Sequence, residues 1–276
     1  MSCVEKAYAK VNLTLAVGEK RPDGYHEVVS VMQRVSLCDT LTAARTDSGI
    51  SLACSDPTLP SGGENLAHRA AALFFRETGI TGGAALTLEK RIPSQAGLGG
   101  GSSDAASVLL ALRRLYAPAL SDAALEAMAA ALGSDVPFFI RGGTQLATGR
   151  GEVLSPLPPL TEGWFVIVKP PESFSTAAMY RRLDELPPAH TPSLPPLQGG
   201  LSALAEGLFN SFEAAVPPGS AVGRIKDALT DHGALAALLS GSGGAVFGLF
   251  DHENTARDAA EALRDTWPET FLARPV

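Results

Sequence analysis

IPSQAGLGGGSSDAASVLLAL, Ile92 to Leu112, carries glycine at four of the five positions 97–101 and then settles into an apolar helical repeat. Glycine gives up more conformational freedom on folding than any other residue, so such a cluster is costly immediately before a helix. Ala105, Val108, Leu109, Leu112 and Leu115 recur at three- and four-residue spacing, which predicts a helix of about three turns. Ser102 or Ser103 is its expected N-cap, and Asp104 suits the positive end of the helix dipole. Free N–H groups at such an end, with side chains stripped away by glycine, make an anion site shaped for phosphate. Read alone, such a cluster is more simply a flexible turn that precedes a helix. Two well-known phosphate loops are excluded by spelling. No lysine follows the glycines, as G-x-x-x-x-G-K-[ST] requires, and Ser102 stands where G-x-G-x-x-G needs its last glycine.

Working outward, 276 residues that are 45% hydrophobic can bury a substantial core, as one large domain or two smaller ones. No run of about 18 apolar residues occurs, so no membrane span is expected. The N-terminal MSCVEKAYAKVNLTLAV lacks the layout of an export signal, so the expected compartment is the cytoplasm. Cys3, Cys38 and Cys54 are odd in number and widely spaced, which fits a reducing compartment and neither a disulfide framework nor a zinc site. A net charge of −7 argues against nucleic acid as a partner but leaves room for a local cationic pocket.

Segments 5–17 and 27–37 read as strands joined by a PDGY turn at 22–25. Residues 64–78 read as a helix with Leu66, Ala70, Leu73 and Phe74 on one face, stopped by Gly79. AALTLEKRIP reads as a strand ending at Pro93. SDAALEAMAAALG reads as a helix capped by Ser121 and ended at Gly133. WFVIVKP at 164–170 reads as a buried strand, followed by a helix near 220–232, a strand at 245–250 and a helix near 254–266. The Pro-rich tract Leu186 to Gly200 reads as an extended surface loop. A shift in composition places a domain boundary at 147–160, giving domains 1–150 and 151–276. Strands and helices alternate without a clean βαβ series, which favours an α+β class.

Three motifs then converge. PSQAGLGGGSSDAA resembles the central glycine-rich motif of the GHMP kinases, the superfamily of galactokinase, homoserine kinase and mevalonate kinase. AYAKVNLTLAVGEKRPDGYHEVVSVMQRVSLCD, Ala7 to Asp39, resembles the N-terminal motif of one branch, the kinases of 4-diphosphocytidyl-2-C-methyl-D-erythritol. LSGSGGAVFGLF, Leu239 to Phe250, resembles the superfamily's C-terminal glycine motif. ENLAHRAA, GSDVPFFIRGGTQLATGRGE and FNSFE follow the same branch in order, so the resemblance covers nearly the whole chain. It implies ATP-dependent phosphorylation of the substrate's 2-hydroxyl, with Mg2+, in the non-mevalonate route to isoprenoid precursors. It also implies an N-terminal domain like ribosomal protein S5, a ferredoxin-like C-terminal domain, and an active site in the cleft between them.

The same resemblance distributes roles. Asp135 in GSDVPFF is the expected general base; alone, an Asp there reads as a turn or cap residue. Lys10 lies in an apolar strand, where a lysine needs a carboxylate or an anionic ligand unless it reaches water at an edge. The resemblance pairs Lys10 with Asp135. Backbone N–H groups from Gly97 through Leu98, Gly99, Gly100 and Gly101 to Ser102 and Ser103 are expected to cradle the ATP phosphates, with Pro93 opening the loop. Ser102 or Ser103 would reach Mg2+, and Asn65 is a nucleotide contact or simply a helix cap. On the substrate side stand Asn12, Gly241 and Gly243. Tyr25 would stack on the cytosine, His26 would hydrogen-bond to it, and Tyr180 would close the other face. Two alternatives stay open: another small-molecule kinase of the superfamily, and a non-catalytic ligand-binding protein of the same fold. The expected partners are ATP and the cytidine diphosphate-linked substrate, with no nucleic acid and no membrane, and the chain is a monomer or homodimer.

Overall fold

The computed structural model describes residues 1–187 and 194–276. The Pro-rich tract expected at 186–200 therefore falls partly outside the described residues. Among those described, no helix is long and apolar enough to cross a membrane. The chain packs into two compact units that do not follow chain order: 1–9, 38–94 and 99–142 in the first, and 10–37, 95–98 and 143–276 in the second.

Strand β1 (Ser2–Lys20) and strand β2 (His26–Thr46) are neighbours in one sheet, and each runs through both units. Both are longer than the patterns at 5–17 and 27–37 predict. In the first unit the later half of β2 pairs antiparallel with β4 (Gly83–Glu89), from Thr40 opposite Glu89 to Thr46 opposite Gly83. β3 (Gly49–Cys54) lies parallel to β4. Helix α1 (Leu66–Thr78) buries Ala67, Ala70, Leu73 and Phe74, and Gly79 ends it in the left-handed region at φ 65°. It packs with α2 (Gly100–Tyr116) and α3 (Asp122–Leu132), the latter capped by the Ser121 hydroxyl as its sequence predicts. The short helix α4 (Val136–Arg141) packs on α2 and α3. VPFF reads from sequence as a strand. It folds as a helical turn because Pro137 fits a first helical turn, where its missing N–H is not needed.

In the second unit the first half of β2 pairs antiparallel with β5 (Thr144–Thr148), which pairs with β6 (Val153–Pro156). A second sheet is built from β7 (Trp164–Val168), and later β9 (Ala236–Leu239), β10 (Val246–Phe250) and β11 (Thr270–Ala273). Helix α5 (Thr176–Asp184), helix α6 (Leu201–Glu206), strand β8 (Phe209–Asn210) and helix α7 (Ala221–Asp231) fall between β7 and β9, and helix α8 (Glu253–Arg264) falls between β10 and β11. Its order, β11-β7-β10-β9 with every neighbour antiparallel, is the split βαβ arrangement of a ferredoxin-like fold. Leu15, Val17 and Val28 from the tip of the β1–β2 hairpin are buried in one core with Val166, Phe212, Ile225 and Phe250. That burial is why the hairpin tip belongs to the second unit. It also brings Tyr25 and His26 into the unit that holds Tyr180.

Candidate active site

Helix α2 starts earlier than its sequence suggests. Gly99 is the N-cap, in the left-handed region at φ 72°, and Gly100 and Gly101 already lie in the helix. The helix runs for 17 residues, well beyond the three turns its apolar spacing suggested. Ser102 and Ser103 therefore cannot cap it; they sit inside its first turn, and Ser103 N donates to Gly99 O at 2.9 Å. Ser103 is buried and Ser102 is half-buried, so Ser102 is the more accessible hydroxyl. No side chain caps this N-terminus. Its first N–H groups lack intrahelical partners, as at any helix start. A Cβ on exposed Gly101 would meet only Leu66 Cδ1, at 3.8 Å, so the space above that residue is open. Open space over uncapped N–H groups fits a triphosphate.

Gly97 has a different reason for being glycine. At φ 75°, a Cβ there would run into the Ser240 carbonyl. The Ser240 hydroxyl donates to Gly97 O at 3.2 Å, and Ala245 N donates to Ala96 O at 3.1 Å. A Cβ on Gly241, at φ 57°, would sit 3.0 Å from Gly97 O and 3.4 Å from Lys10 Nζ. The two glycine motifs, far apart in sequence, thus meet backbone to backbone in the second unit. Asn210 holds the later one, its amide donating to Leu239 O and Gly241 O, both at 2.8 Å. Gly243 is backed instead by the Phe174 ring.

Lys10 is buried at 4% exposure in β1, and its own N–H donates to Leu98 O at 3.0 Å. Its ammonium donates to Asn12 Oδ1 at 2.5 Å, while the Asn12 amide donates to Ser30 Oγ at 2.8 Å. Asp135, in the first unit, takes the N-cap position of α4 but makes no side-chain cap bond. Of the two structural roles its sequence allowed, the turn is taken up, at residues 134–135, and the side-chain cap is not. Asn65 does serve as a cap: its Oδ1 accepts from Ala67 N at 2.9 Å and its amide donates to Pro60 O at 2.8 Å.

At the hairpin tip the His26 Nε2 lies 2.7 Å from Asp184 Oδ1, and Lys20 Nζ lies 2.7 Å from the other oxygen. The bond from Lys20, opposed by burial and reinforced by His26, holds the Asp184 carboxyl below its ordinary range. Tyr180 stacks on the His26 ring, centroids 5.1 Å apart and planes 16° from parallel. Tyr25 is 57% exposed, with the Arg150 guanidinium 5.0 Å from its ring centre.

One cluster joins residues that sequence spacing gave no reason to connect. Lys90 Nζ is held at 2.5 Å by Asp39 Oδ2 and at 2.6 Å by Asp104 Oδ2. Asp39 Oδ1 accepts from the backbone N–H of Arg91 and of Ile92, at 2.5 and 2.8 Å. These bonds end β4 at Glu89, short of the Pro93 expected, by turning Lys90–Ile92 toward Asp39. They also take Asp104 away from the dipole role its position suggested; it is the fifth residue of α2. Burial pushes the Asp104 carboxyl up to about 7, against the pull of Lys90, because one ammonium in a dry site cannot keep two carboxylates ionised. Burial would lower Lys90, and the two carboxylates more than offset it, leaving its ammonium above the usual lysine range. The folded chain holds the Asp104 proton more tightly than the unfolded one. Its contribution to stability is present below the ordinary carboxylate pKa and is lost as pH rises through about 7. Asp104→Asn is expected to melt above the parent at pH 8 and to lose that margin at pH 5, which thermal melts at the two pH values check.

Comparison with known proteins gives this geometry a family. Residues 65–143 match the GHMP kinases N terminal domain, and residues 194–269 match the GHMP kinases C terminal family. The chain is 44% identical, over 97% of both sequences, to the 4-diphosphocytidyl-2-C-methyl-D-erythritol kinase of Moorella thermoacetica. The chain belongs to the 4-diphosphocytidyl-2-C-methyl-D-erythritol kinase family. A crystal structure of a 4-(cytidine 5'-diphospho)-2C-methyl-D-erythritol kinase superposes with a TM-score of 0.86 at 41% identity, covering 98% of each chain. The homoserine kinase of Cytophaga hutchinsonii, at 18% identity and a TM-score of 0.71 over 99% of this chain, shares the fold.

For a member of this kinase family, the structure gathers Lys10, Asn12, Gly97, Leu98 and Gly241 in one unit, and Tyr180 with His26 in the same unit. Asn65, the helix start from Gly99 to Ser103, and Asp135 belong to the other. Asp39, Lys90, Asp184, Arg150 and Asn210 were passed over in the sequence. Asp39, Arg150 and Asn210 lay in stretches that pointed to the family without being given a role, whereas Lys90 and Asp184 lay outside them.

Proposed function

We propose that this kinase transfers the γ-phosphoryl group of ATP to the 2-hydroxyl of 4-diphosphocytidyl-2-C-methyl-D-erythritol, yielding the 2-phosphate and ADP. The observation that carries the reading is 44% identity, over 97% of the chain, to a kinase of that name. The uncapped, side-chain-free start of α2 supports it as the place where the triphosphate meets backbone N–H groups. Mg2+, when bound with ATP, neutralises developing charge on the phosphates; Ser102 is the hydroxyl we assign to it. Asp135 accepts the proton of the 2-hydroxyl as the oxygen attacks, and Lys10 stabilises the carboxylate and the oxygen that is losing its proton. Asn12 orients the Lys10 ammonium through the 2.5 Å bond and contacts the substrate. Gly241 and Gly243 let the later loop approach the substrate's diphosphate. Pro93 sets the entry of the phosphate loop, and Asn65 keeps α1 capped beside the nucleotide. We further assign domains 1–150 and 151–276, and a cytoplasmic setting in the non-mevalonate isoprenoid route.

The direct experiment incubates the chain with ATP, Mg2+ and the cytidine substrate and follows ADP and the phosphorylated product. Homoserine and mevalonate serve as competing acceptors. Phosphorylation of either of these in preference to the cytidine compound would overturn the assignment. The base is read at the hairpin tip, where Tyr25 offers a stacking ring and His26, its Nε2 held by Asp184, keeps Nδ1 for a hydrogen bond to the base. Tyr25→Ala and His26→Ala are each expected to raise KM for the cytidine substrate about tenfold, a loss of roughly 1.4 kcal/mol, with ATP parameters barely moved. Steady-state kinetics with each substrate varied in turn checks this.

A further inference from the structure

Lys90 closes a short circuit around the phosphate loop. It stands just before Pro93, where the chain enters the loop, and its ammonium reaches Asp104, in the helix by which the chain leaves. Asp39 anchors the same ammonium from β2 and takes the two following backbone N–H groups with its other oxygen. All three side chains are buried, at 8%, 0% and 4% exposure for Lys90, Asp39 and Asp104. The Lys90 ammonium lies 3.6 Å from where a Cβ of Gly100 would sit, directly behind the first helical residue.

We propose that Lys90 and Asp104 are positioning residues for the triphosphate, a clamp that fixes the first turn of α2 against the chain entering the loop. The inference rests on the reading that this loop binds ATP. Charge alone argues against any other benefit to the nucleotide. The cluster sets two carboxylates against one ammonium beside a site for an anion, so an ionised Asp104 repels the ligand. What Asp104 supplies is geometry: it holds helix residues in place so that their N–H groups converge without reordering on binding. Attraction and positioning therefore predict opposite signs for one substitution.

Asp104→Ala removes a negative charge and breaks the clamp, while leaving Lys90 paired with Asp39. Calorimetric titration with a non-hydrolysable ATP analogue and, separately, with CDP reads both sites. The clamp predicts analogue binding weakened at least tenfold, CDP binding within twofold of wild type, and recovery to within threefold in Asp104→Asn, which keeps an oxygen for Lys90. Lys90→Met carries the same expectation, so a folding failure in one variant leaves the other as the test. Analogue binding by Asp104→Ala that is unchanged or tighter overturns the clamp, as does an Asn variant no better than the Ala variant. A wild-type chain that binds CDP but not the analogue overturns the clamp together with the assignment of the loop. A wild-type chain that binds the analogue while its variants match it overturns the clamp alone.

Discussion

Asp135→Asn is expected to lower turnover by roughly 10² to 10⁴, the usual contribution of a positioned general base, while the affinities for ATP and the cytidine substrate stay within a few-fold. The substitution keeps shape and removes only the ability to hold a proton. Asp135 sits at the N-cap position of α4 without making a side-chain cap bond, so the substitution removes no helix cap. The Asn variant is accordingly expected to melt near the parent temperature. Rapid-quench measurement of the chemical step separates this loss from slow product release, and a chemical rate within tenfold of the parent removes Asp135 from the mechanism. Lys10→Met should follow the same pattern with a structural penalty added. Its ammonium is buried against Asn12, and its removal leaves the Asn12 oxygen without that donor.

The second large effect separates two glycines of one motif. Gly101→Ala introduces a Cβ that the protein itself accommodates, with its nearest neighbour at 3.8 Å in ordinary contact. In a helix the change is favourable by about 0.5–1 kcal/mol, so the variant should be at least as stable as the parent. Yet the added methyl lies where we place the phosphates, and ATP binding is expected to fall by two orders of magnitude or more. Gly97→Ala does the reverse. Its Cβ meets the Ser240 carbonyl at a backbone angle that side chains rarely adopt, so the loop pair must separate. Stability should drop, by about 1–3 kcal/mol from the strained backbone conformation alone, and the damage should extend to the substrate side. Melting curves beside nucleotide titrations check both. A Gly101→Ala chain that keeps full ATP affinity reduces the loop to a turn.

Much of this was legible in the chain itself. Helical spacing and punctuation placed α1 and α3 to within a residue or two, because Gly79 and Ser121 act on their own neighbours. The family was carried by short motifs that stay contiguous: the glycine loop, the hairpin with Tyr25 and His26, and GSDVPFF. Local rules misjudged two starts. The α2 N-terminus came early because glycines that look like loop tolerate helix geometry, and VPFF became a helical turn because four apolar residues have no period to read. Tertiary structure alone decided what faces what. Lys90 finds Asp39 and Asp104 across 51 and 14 residues, and Gly97 meets Ser240 across 143. The stacking of Tyr180 on His26 joins elements that sequence spacing leaves unrelated. The reason is physical: propensity, capping and turn chemistry act within a few residues, whereas ion pairing, ring stacking and backbone contact depend on burial that only the whole fold supplies.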